Sequence, residues 1–249
     1  MSKIRIAQAQ MKVMPSVELS FKEAEKYLLK AKEENADMLC LPEMFCCPYE
    51  TKNFPLYAQL DGGEMKKKAS ELAAKYGIIF SAGSVPESDE EGHVYNTAYV
   101  FGRNGEQLAK HRKMHLFNID VKGGQRFFES ETLTAGNEVT VFDTEFGKMG
   151  LCICYDIRFP ELTRSLVLGG LDMLFVVSQW PKVRVPHLKA LAKARAIENQ
   201  MFLACCNSCG TAGDTVYGGA STITDPWGET LAEAGSEEET ISAAYGAPA

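Results

Sequence analysis

Three residues of complementary chemistry stand at expected strand ends: Glu43 after "MLCLP", Lys113 in "HRKMHLF" and Cys154 in "LCICYDIRFPE". A carboxylate can take a proton, an ammonium can steady an oxyanion, and a thiol can attack an electrophilic carbon. Cys154 closes an apolar strand, and the chain must turn sharply before Pro160 opens a helix. A residue in such a turn is held rigidly and projects from the sheet edge, as a nucleophile must. Nearby helix amides would also favour a thiolate. The same segment reads equally well as a buried structural thiol, and on its own it leaves both readings open. Cys152, two residues earlier, is expected in the core. A single Glu or Lys at a strand end is ordinarily a solvated charge, but three such residues of matched chemistry change that expectation.

Other catalytic patterns are missing. The four histidines (His93, His111, His115 and His187) sit in no cysteine-protease signature. There is no G-x-S-x-G, no P-loop and no G-x-G-x-x-G. Cys206 and Cys209 form a C-x-x-C pair without a second pair or a histidine at zinc spacing, so buried thiols are expected there.

The elements that must position these residues follow from patterning. "KIRIAQAQMKV" reads as a strand, and Ser16 caps a helix with Val17, Phe21, Ala24, Leu28 and Ala31 on one face. "ADMLCLPE" is the next strand. Residues 64–76 predict a helix stopped by Gly77. "GIIFSAGSV" and "NTAYVFG" are strands, and Asn104-Gly105 turns the chain into "QLAKHRKMHLF". Residues 118–137 predict a long irregular loop. A second hairpin turns at Phe146-Gly147. A helix runs from Pro160 to about Leu168, ahead of Gly169-Gly170. "LDMLFVVSQW", the helix "PHLKALAKARAIEN", the strand "QMFLACCNS" and a hairpin at Asp225-Pro226-Trp227-Gly228 complete the chain. Strand–helix–strand crossovers mixed with hairpins predict an α/β fold with mixed sheets.

Composition narrows the class further. The 249 residues are 45% hydrophobic and 24% charged, which suits one globular domain over residues 1–249. A net charge of -7 argues against a nucleic-acid surface. No stretch resembles a signal peptide or membrane span, so a cytoplasmic location with reduced cysteines is expected.

"LCLPEMF", "HRKMHLF" and "GLCICYDIRFPEL" resemble, in order and spacing, the signature blocks of the carbon–nitrogen hydrolases, the nitrilase superfamily. "FFESETLTAGNE", "ARAIENQMF" and "TITDPWGE" extend the resemblance from residue 3 to about residue 240. Within that superfamily "KMHLFNIDV" and "FFES" are most similar to the omega-amidase branch. The resemblance implies an αββα four-layer sandwich, paired as a homodimer or larger homo-oligomer. It implies Cys154 as nucleophile, Glu43 as general base, Lys113 and the Tyr155 amide as oxyanion donors, and Glu129 as a second glutamate beside Lys113. No metal or organic cofactor is needed. The implied substrates are small ω-amides of dicarboxylic acids, with water as second reactant and ammonia released. N-carbamoyl amines, deaminated glutathione and nitriles are alternatives within the superfamily.

Tyr49, Phe117, Trp180 and His187 are candidate pocket residues, and Arg184 is a candidate for a substrate carboxylate. Asp156, Arg158 and Glu161 are expected in structural ion pairs around the turn. The ending "EEETISAAYGAPA" is shorter than is usual in the family, which predicts a missing last strand and an exposed sheet edge. Outside enzymes, a binding protein on this fold would lack Glu43, Lys113 or Cys154, and a thiol redox protein would expose Cys206 and Cys209.

Overall fold

The computed structural model describes residues 3–246. Along the chain, β1 (Ile4–Gln10) leads to α1 (Val17–Glu33), β2 (Met38–Cys40), the short α2 (Phe54–Tyr57) and β3 (Gln59–Leu60). Next come α3 (Gly63–Tyr76), β4 (Ile79–Ser88), β5 (Val94–Phe101) and β6 (Gln107–Arg112). β7 (Asn118–Asp120) and β8 (Arg126–Phe128) form a small hairpin. Then follow β9 (Val141–Thr144), β10 (Gly147–Ile153), α4 (Pro160–Leu168), β11 (Met173–Ser178), α5 (Val185–Asn199) and β12 (Phe202–Asn207). β13 (Cys209–Ala212), β14 (Thr215–Gly218), β15 (Thr222–Thr224), β16 (Thr230–Glu233) and β17 (Glu239–Tyr245) end it.

Two large mixed sheets result. The first runs β17-β1-β2-β4-β5-β6 and the second β16-β15-β12-β11-β10-β9. Each has a parallel centre, made by crossover helices, flanked by antiparallel strands. Ala7, Ala9, Leu39 and Phe80 of the first sheet meet Phe21, Ala24 and Leu28 of α1 and Met65 and Ala69 of α3. Its other face, with Ile4, Ile6, Met38 and Ile79, shares one core with Leu151, Ile153 and Leu174 of the second sheet. Leu162 and Leu166 of α4 and Leu188 and Ala192 of α5 join that core. The order of layers is helix, sheet, sheet, helix, as the resemblance implies.

Sheets covered on both faces bury their central strands, so β1 and β11 lack the polar face of a half-solvated strand. Gln10 sits wholly inside and holds distant segments together. Its Nε2 donates to the carbonyls of Gly235 (3.0 Å) and Glu237 (2.5 Å), and its Oε1 accepts from the Ser221 amide (2.9 Å). Ser16 caps α1 as expected, its Oγ accepting from the Leu19 amide at 3.2 Å.

Two expectations are corrected. Residues 118–137 are not one irregular loop. β7 and β8 pair around Gly123, which takes φ +71, and a 3₁₀ turn over Glu129–Glu131 follows. Three-residue strands are too short to leave a periodic signature. The last strand is also present. β17 pairs with β1 along its whole length, from Ile4 opposite Tyr245 to Gln10 opposite Glu239, and so covers that side of β1. Residues 247–249 of "EEETISAAYGAPA" lie outside the described residues.

The thiol redox reading also fails on geometry. All eight cysteines are free and buried. The Cys206 thiol donates to the carbonyls of Ala9 and Cys40 inside the core, and burial pushes the Cys209 thiol up to about 12. An exposed, activated pair would show the opposite.

Candidate active site

Each candidate side chain comes from a chain segment just past a strand end. Pro42 ends β2 by removing a ladder donor, and the turn that follows carries Glu43. That turn is strained, with Met44 at φ +46 in the left-handed region. The Met44 amide donates to Ser84 Oγ at 3.0 Å. Gly83 packs so closely that a Cβ there would strike the Pro42 carbonyl. Lys113 follows β6, its amide donating to the Asn96 carbonyl at 2.9 Å. Glu129 follows β8, its amide donating to the Phe117 carbonyl at 3.1 Å. Cys154 follows β10 at φ +48, a strained position that turns the chain into a 3₁₀ segment over Cys154–Arg158. The sharp turn expected from the sequence is therefore a 3₁₀ turn, with α4 starting only at Pro160.

These segments converge on one buried cluster. Lys113, fully buried, donates to Glu43 Oε1 at 2.9 Å, to Glu129 Oε1 at 2.8 Å and to the Tyr49 hydroxyl oxygen at 3.2 Å. The Tyr49 hydroxyl donates its one proton to Glu129 Oε1 and lies 3.1 Å from Glu43 Oε1. Asn96 Nδ2 donates to Glu43 Oε1 at 2.7 Å, and the Gln179 amide donates to Glu43 Oε2 at 2.8 Å. The Phe117 amide donates to Glu129 Oε2 at 2.5 Å. Cys154 lies beside this cluster and accepts from Ser178 Oγ at 3.6 Å.

The electrostatics follow from burial and pairing. Burial alone would lower the Lys113 ammonium, but Glu129 and Glu43 outweigh it and hold the cation above its usual range. Burial, and after it the Glu43 charge, push the Cys154 thiol well above its ordinary range. Cys154 therefore rests as a neutral thiol and needs a base before it can attack. Burial raises the Glu129 carboxyl although Lys113 pulls it down.

Cys154 opens onto a pocket. Tyr49, Phe117, Tyr155 and Trp180 form aromatic walls, as the sequence reading expected of Tyr49, Phe117 and Trp180. Tyr49 goes further and reaches into the charged cluster. Arg184 also lines the pocket, its Nη1 donating to Gln125 Oε1 at 2.8 Å. His187 does not line it. Its Nδ1 meets Arg158 Nη2 at 3.3 Å, and Arg158 is the residue that faces the cavity. The Arg158 guanidinium lies 4.8 Å over the Trp180 ring and 5.5 Å over Tyr155. Arg158 and Arg184 are the charged residues of the lining, with no carboxylate among the described lining groups.

The expected ion pairs around the turn are likewise revised. Arg158 stacks on aromatic rings, and Glu161 sits in the exposed first turn of α4 without an ion pair among the described residues. Asp156 is paired, with histidines. Its buried carboxylate accepts from the Ile153 amide (3.1 Å), the His115 amide and Nδ1 (2.8 Å each), and meets His111 Nε2 at 3.3 Å. Burial would raise this carboxyl, but those partners hold it below the usual carboxylate range. Its stabilising contribution is thus present above the ordinary value of 3.8 and lost as pH falls through the depressed one. Asp156→Asn places an NH2 group among donors at the base of the Cys154 turn. We expect a loss of about 2–3 kcal/mol in urea unfolding at pH 7. A change under about 0.5 kcal/mol, the range of an ordinary surface substitution, would contradict the anchoring role.

Sequence reasoning missed Arg158, Gln125, Gln179, Thr215 and Tyr217. Tyr217 and Thr215 come from β14, in a hairpin too short to stand out. Arg158 was visible two residues before Pro160 but reads locally as a turn charge.

Residues 3–245 match the family model described as carbon-nitrogen hydrolase. The omega-amidase NIT2 of Xenopus tropicalis is 42% identical over 245 residues, covering 98% of this chain and 88% of that protein. The crystal structure of Saccharomyces cerevisiae Nit3, described as a member of branch 10 of the nitrilase superfamily, superposes with a TM-score of 0.89. It is 34% identical and covers 97% of this chain and 89% of its own. A mutant of the amidase from Nesterenkonia sp. AN1 in complex with butyramide superposes with a TM-score of 0.87 at 26% identity, covering 98% and 91%.

Proposed function

The chain belongs to the carbon–nitrogen hydrolase family, and we propose that it is an amidase that cleaves small ω-amides of dicarboxylic acids, such as succinamate or 2-oxoglutaramate. The observation that carries this reading is a buried Glu43–Lys113–Glu129 cluster beside Cys154, under a pocket whose charged lining is two arginines. The cluster supplies the amidase chemistry. The arginines supply the preference for a substrate with a carboxylate at its far end. The omega-amidase name of the relatives at about this chain's length points the same way.

Chemistry proceeds from the resting thiol. Glu43 takes the proton of Cys154 as Sγ attacks the amide carbon, forming the C–S bond. The carbonyl oxygen becomes an oxyanion beside the Lys113 ammonium and the Tyr155 amide, which lies in the first turn of its 3₁₀ segment where the turn uses no amide hydrogens. Collapse breaks the C–N bond, and Glu43 returns its proton so that ammonia leaves. Water then gives a proton to Glu43 and attacks the thioester, which releases the carboxylic acid and restores the thiol. Glu129 accepts a second hydrogen bond from the Lys113 ammonium and helps hold it in place. The steps balance without a metal or redox cofactor.

The two arginines give a direct test. Replacing both Arg158 and Arg184 by Gln should lower kcat/KM for succinamate by about 100-fold, through the loss of charge-assisted hydrogen bonds. Hydrolysis of butyramide, which has no carboxylate, should change less than about threefold. Equal losses on both amides would refute the assignment. The same pair of positive charges, with no acid to answer an ammonium, argues that glutamine and asparagine are poor substrates.

We read residues 1–249 as one catalytic domain acting in the cytoplasm, in keeping with eight free thiols. Among the described residues no helix is long and apolar enough to cross a membrane. The exposed Trp227 (85%) adjoins Gly228, which abuts Ile197 of α5 (52% exposed) on the outer helix layer. Such an apolar patch supports a homodimer, or a larger homo-oligomer, through that face.

A further inference from the structure

The carboxylate of Glu43 is held asymmetrically. Oε1 accepts from two side chains, Lys113 (2.9 Å) and Asn96 (2.7 Å), and the Tyr49 hydroxyl lies 3.1 Å from it. Oε2 accepts only from the Gln179 amide, at 2.8 Å, among the described residues. A carboxylate oxygen offers about two lone-pair sites, so Oε1 is saturated and Oε2 keeps one free. The atom able to take a proton is therefore Oε2.

What aims Oε2 is the segment that carries Gln179. β10 and β11 are hydrogen-bonded neighbours, with Ile153 opposite Val177. Cys154 lies one residue past Ile153, and Ser178 Oγ reaches its sulfur at 3.6 Å. Gln179 is the next residue, so it shares a rigid frame with the nucleophile. Its side chain then crosses to the other sheet. Nε2 donates to the Glu43 carbonyl at 2.8 Å and to the Met44 carbonyl at 3.2 Å. Both partners are carbonyl oxygens, which fixes the orientation of the amide and leaves Oε1 of Gln179 buried without a partner among the described residues. The turn so held is the strained one, with Met44 at φ +46. A left-handed non-glycine residue persists where its surroundings over-determine it.

We propose that Gln179 is a positioning residue that ties the strained Glu43 turn to the frame of the nucleophile and keeps Glu43 Oε2 aimed at the Cys154 thiol; this rests on Glu43 acting as the general base. The side chain lines the pocket, and its hydrogen bonds run to the Glu43 and Met44 carbonyls. It acts through Glu43, so its loss moves kcat rather than substrate binding. Misplacing a catalytic group by about 1 Å can cost on the order of 100-fold.

The test compares Gln179→Met and Gln179→Glu with wild type in the full chain, with Glu43→Gln as reference, on succinamate. Met fills similar space but donates nothing. We expect kcat to fall by about 10–100-fold with KM within about threefold. Glu donates only while its carboxyl is protonated, and burial favours that form. The ratio of its kcat to that of wild type should therefore fall as pH rises, a response that a purely space-filling role would not give. If Gln179→Met does not fold, Gln179→Glu carries the test by itself. A Met variant within twofold of wild type, or a Glu variant whose ratio is flat with pH, would overturn the proposal. A Glu43→Gln variant with wild-type turnover would instead overturn the general-base reading beneath it.

Discussion

Replacing Cys154 by Ala should reduce ammonia release from succinamate by at least about 10⁴-fold and leave the fold intact. The size follows from the covalent route. Without Sγ there is no thioester, and Glu43 and Lys113 cannot pass the acyl group to anything but water. The fold should survive because the thiol contributes little packing that a methyl group does not replace, and its polar contact is the 3.6 Å approach of Ser178. The strained φ of +48 at Cys154 is set by the anchored turn rather than by the sulfur, so Ala carries the same strain. Cys152 provides the internal control. It faces the core on β10, and burial with the nearby Asp156 charge pushes its thiol up. Cys152→Ala should keep kcat within about threefold and cost about 1 kcal/mol of stability. A Cys154→Ala protein with substantial turnover would remove the nucleophile assignment.

The second large effect is at Lys113. Lys113→Met keeps the length of the side chain and deletes the charge between Glu43 and Glu129. Breaking a buried pair by removing one partner typically costs about 3–5 kcal/mol, because an uncompensated charge is left inside. Here two carboxylates are left, both fully buried. The sign of the pH dependence is fixed. In wild type the Lys113 ammonium is held above 10.5, so its contribution is fully present below that value and constant across pH 5–8. In the variant the Lys113 charge no longer opposes burial at Glu129, so that carboxyl binds its proton more tightly than in the unfolded chain. The variant therefore loses stability as pH rises, and its gap to wild type widens from pH 5 to pH 8. Thermal unfolding at the two pH values reads this directly. Turnover should fall by about 10²–10³-fold for loss of an oxyanion partner. A stability gap identical at both pH values would show that Lys113 acts by packing alone.

Much of this was legible in the residues, for identifiable reasons. The α1 face of Phe21, Ala24, Leu28 and Ala31 is a long helical pattern, and all four are buried. Gly77 stops α3 at φ +62, where a side chain would be strained. Glu43 and Cys154 follow strands whose apolar runs mark their ends, Lys113 follows the returning strand of the Asn104-Gly105 hairpin, and Glu129 was reached only through the family resemblance of "FFES". What stayed hidden depended on few residues or on tertiary context. β7, β8, β13 and β14 are three or four residues long and held by turns at Gly123 and Gly213. β17 alternates buried and partly exposed residues under β1, but its flanking acidic run reads as a tail. Arg158 and His187 exchanged expected places because the 3₁₀ turn rotates Arg158 into the cavity, a rotation no local pattern encodes. The inward reach of Tyr49 to Glu43 and Glu129 likewise depends on the aromatic wall of Phe54 and Phe127 behind it.

The central claim is that an acyl group passes through Cys154. Acid-quenching the protein during turnover of succinamate, followed by peptide mass mapping, tests it most directly. The account predicts a succinyl adduct on the peptide containing Cys154, absent from Cys154→Ala, at a level that tracks turnover. Steady ammonia release with that peptide unmodified, or an adduct on another of the eight cysteines, would contradict it.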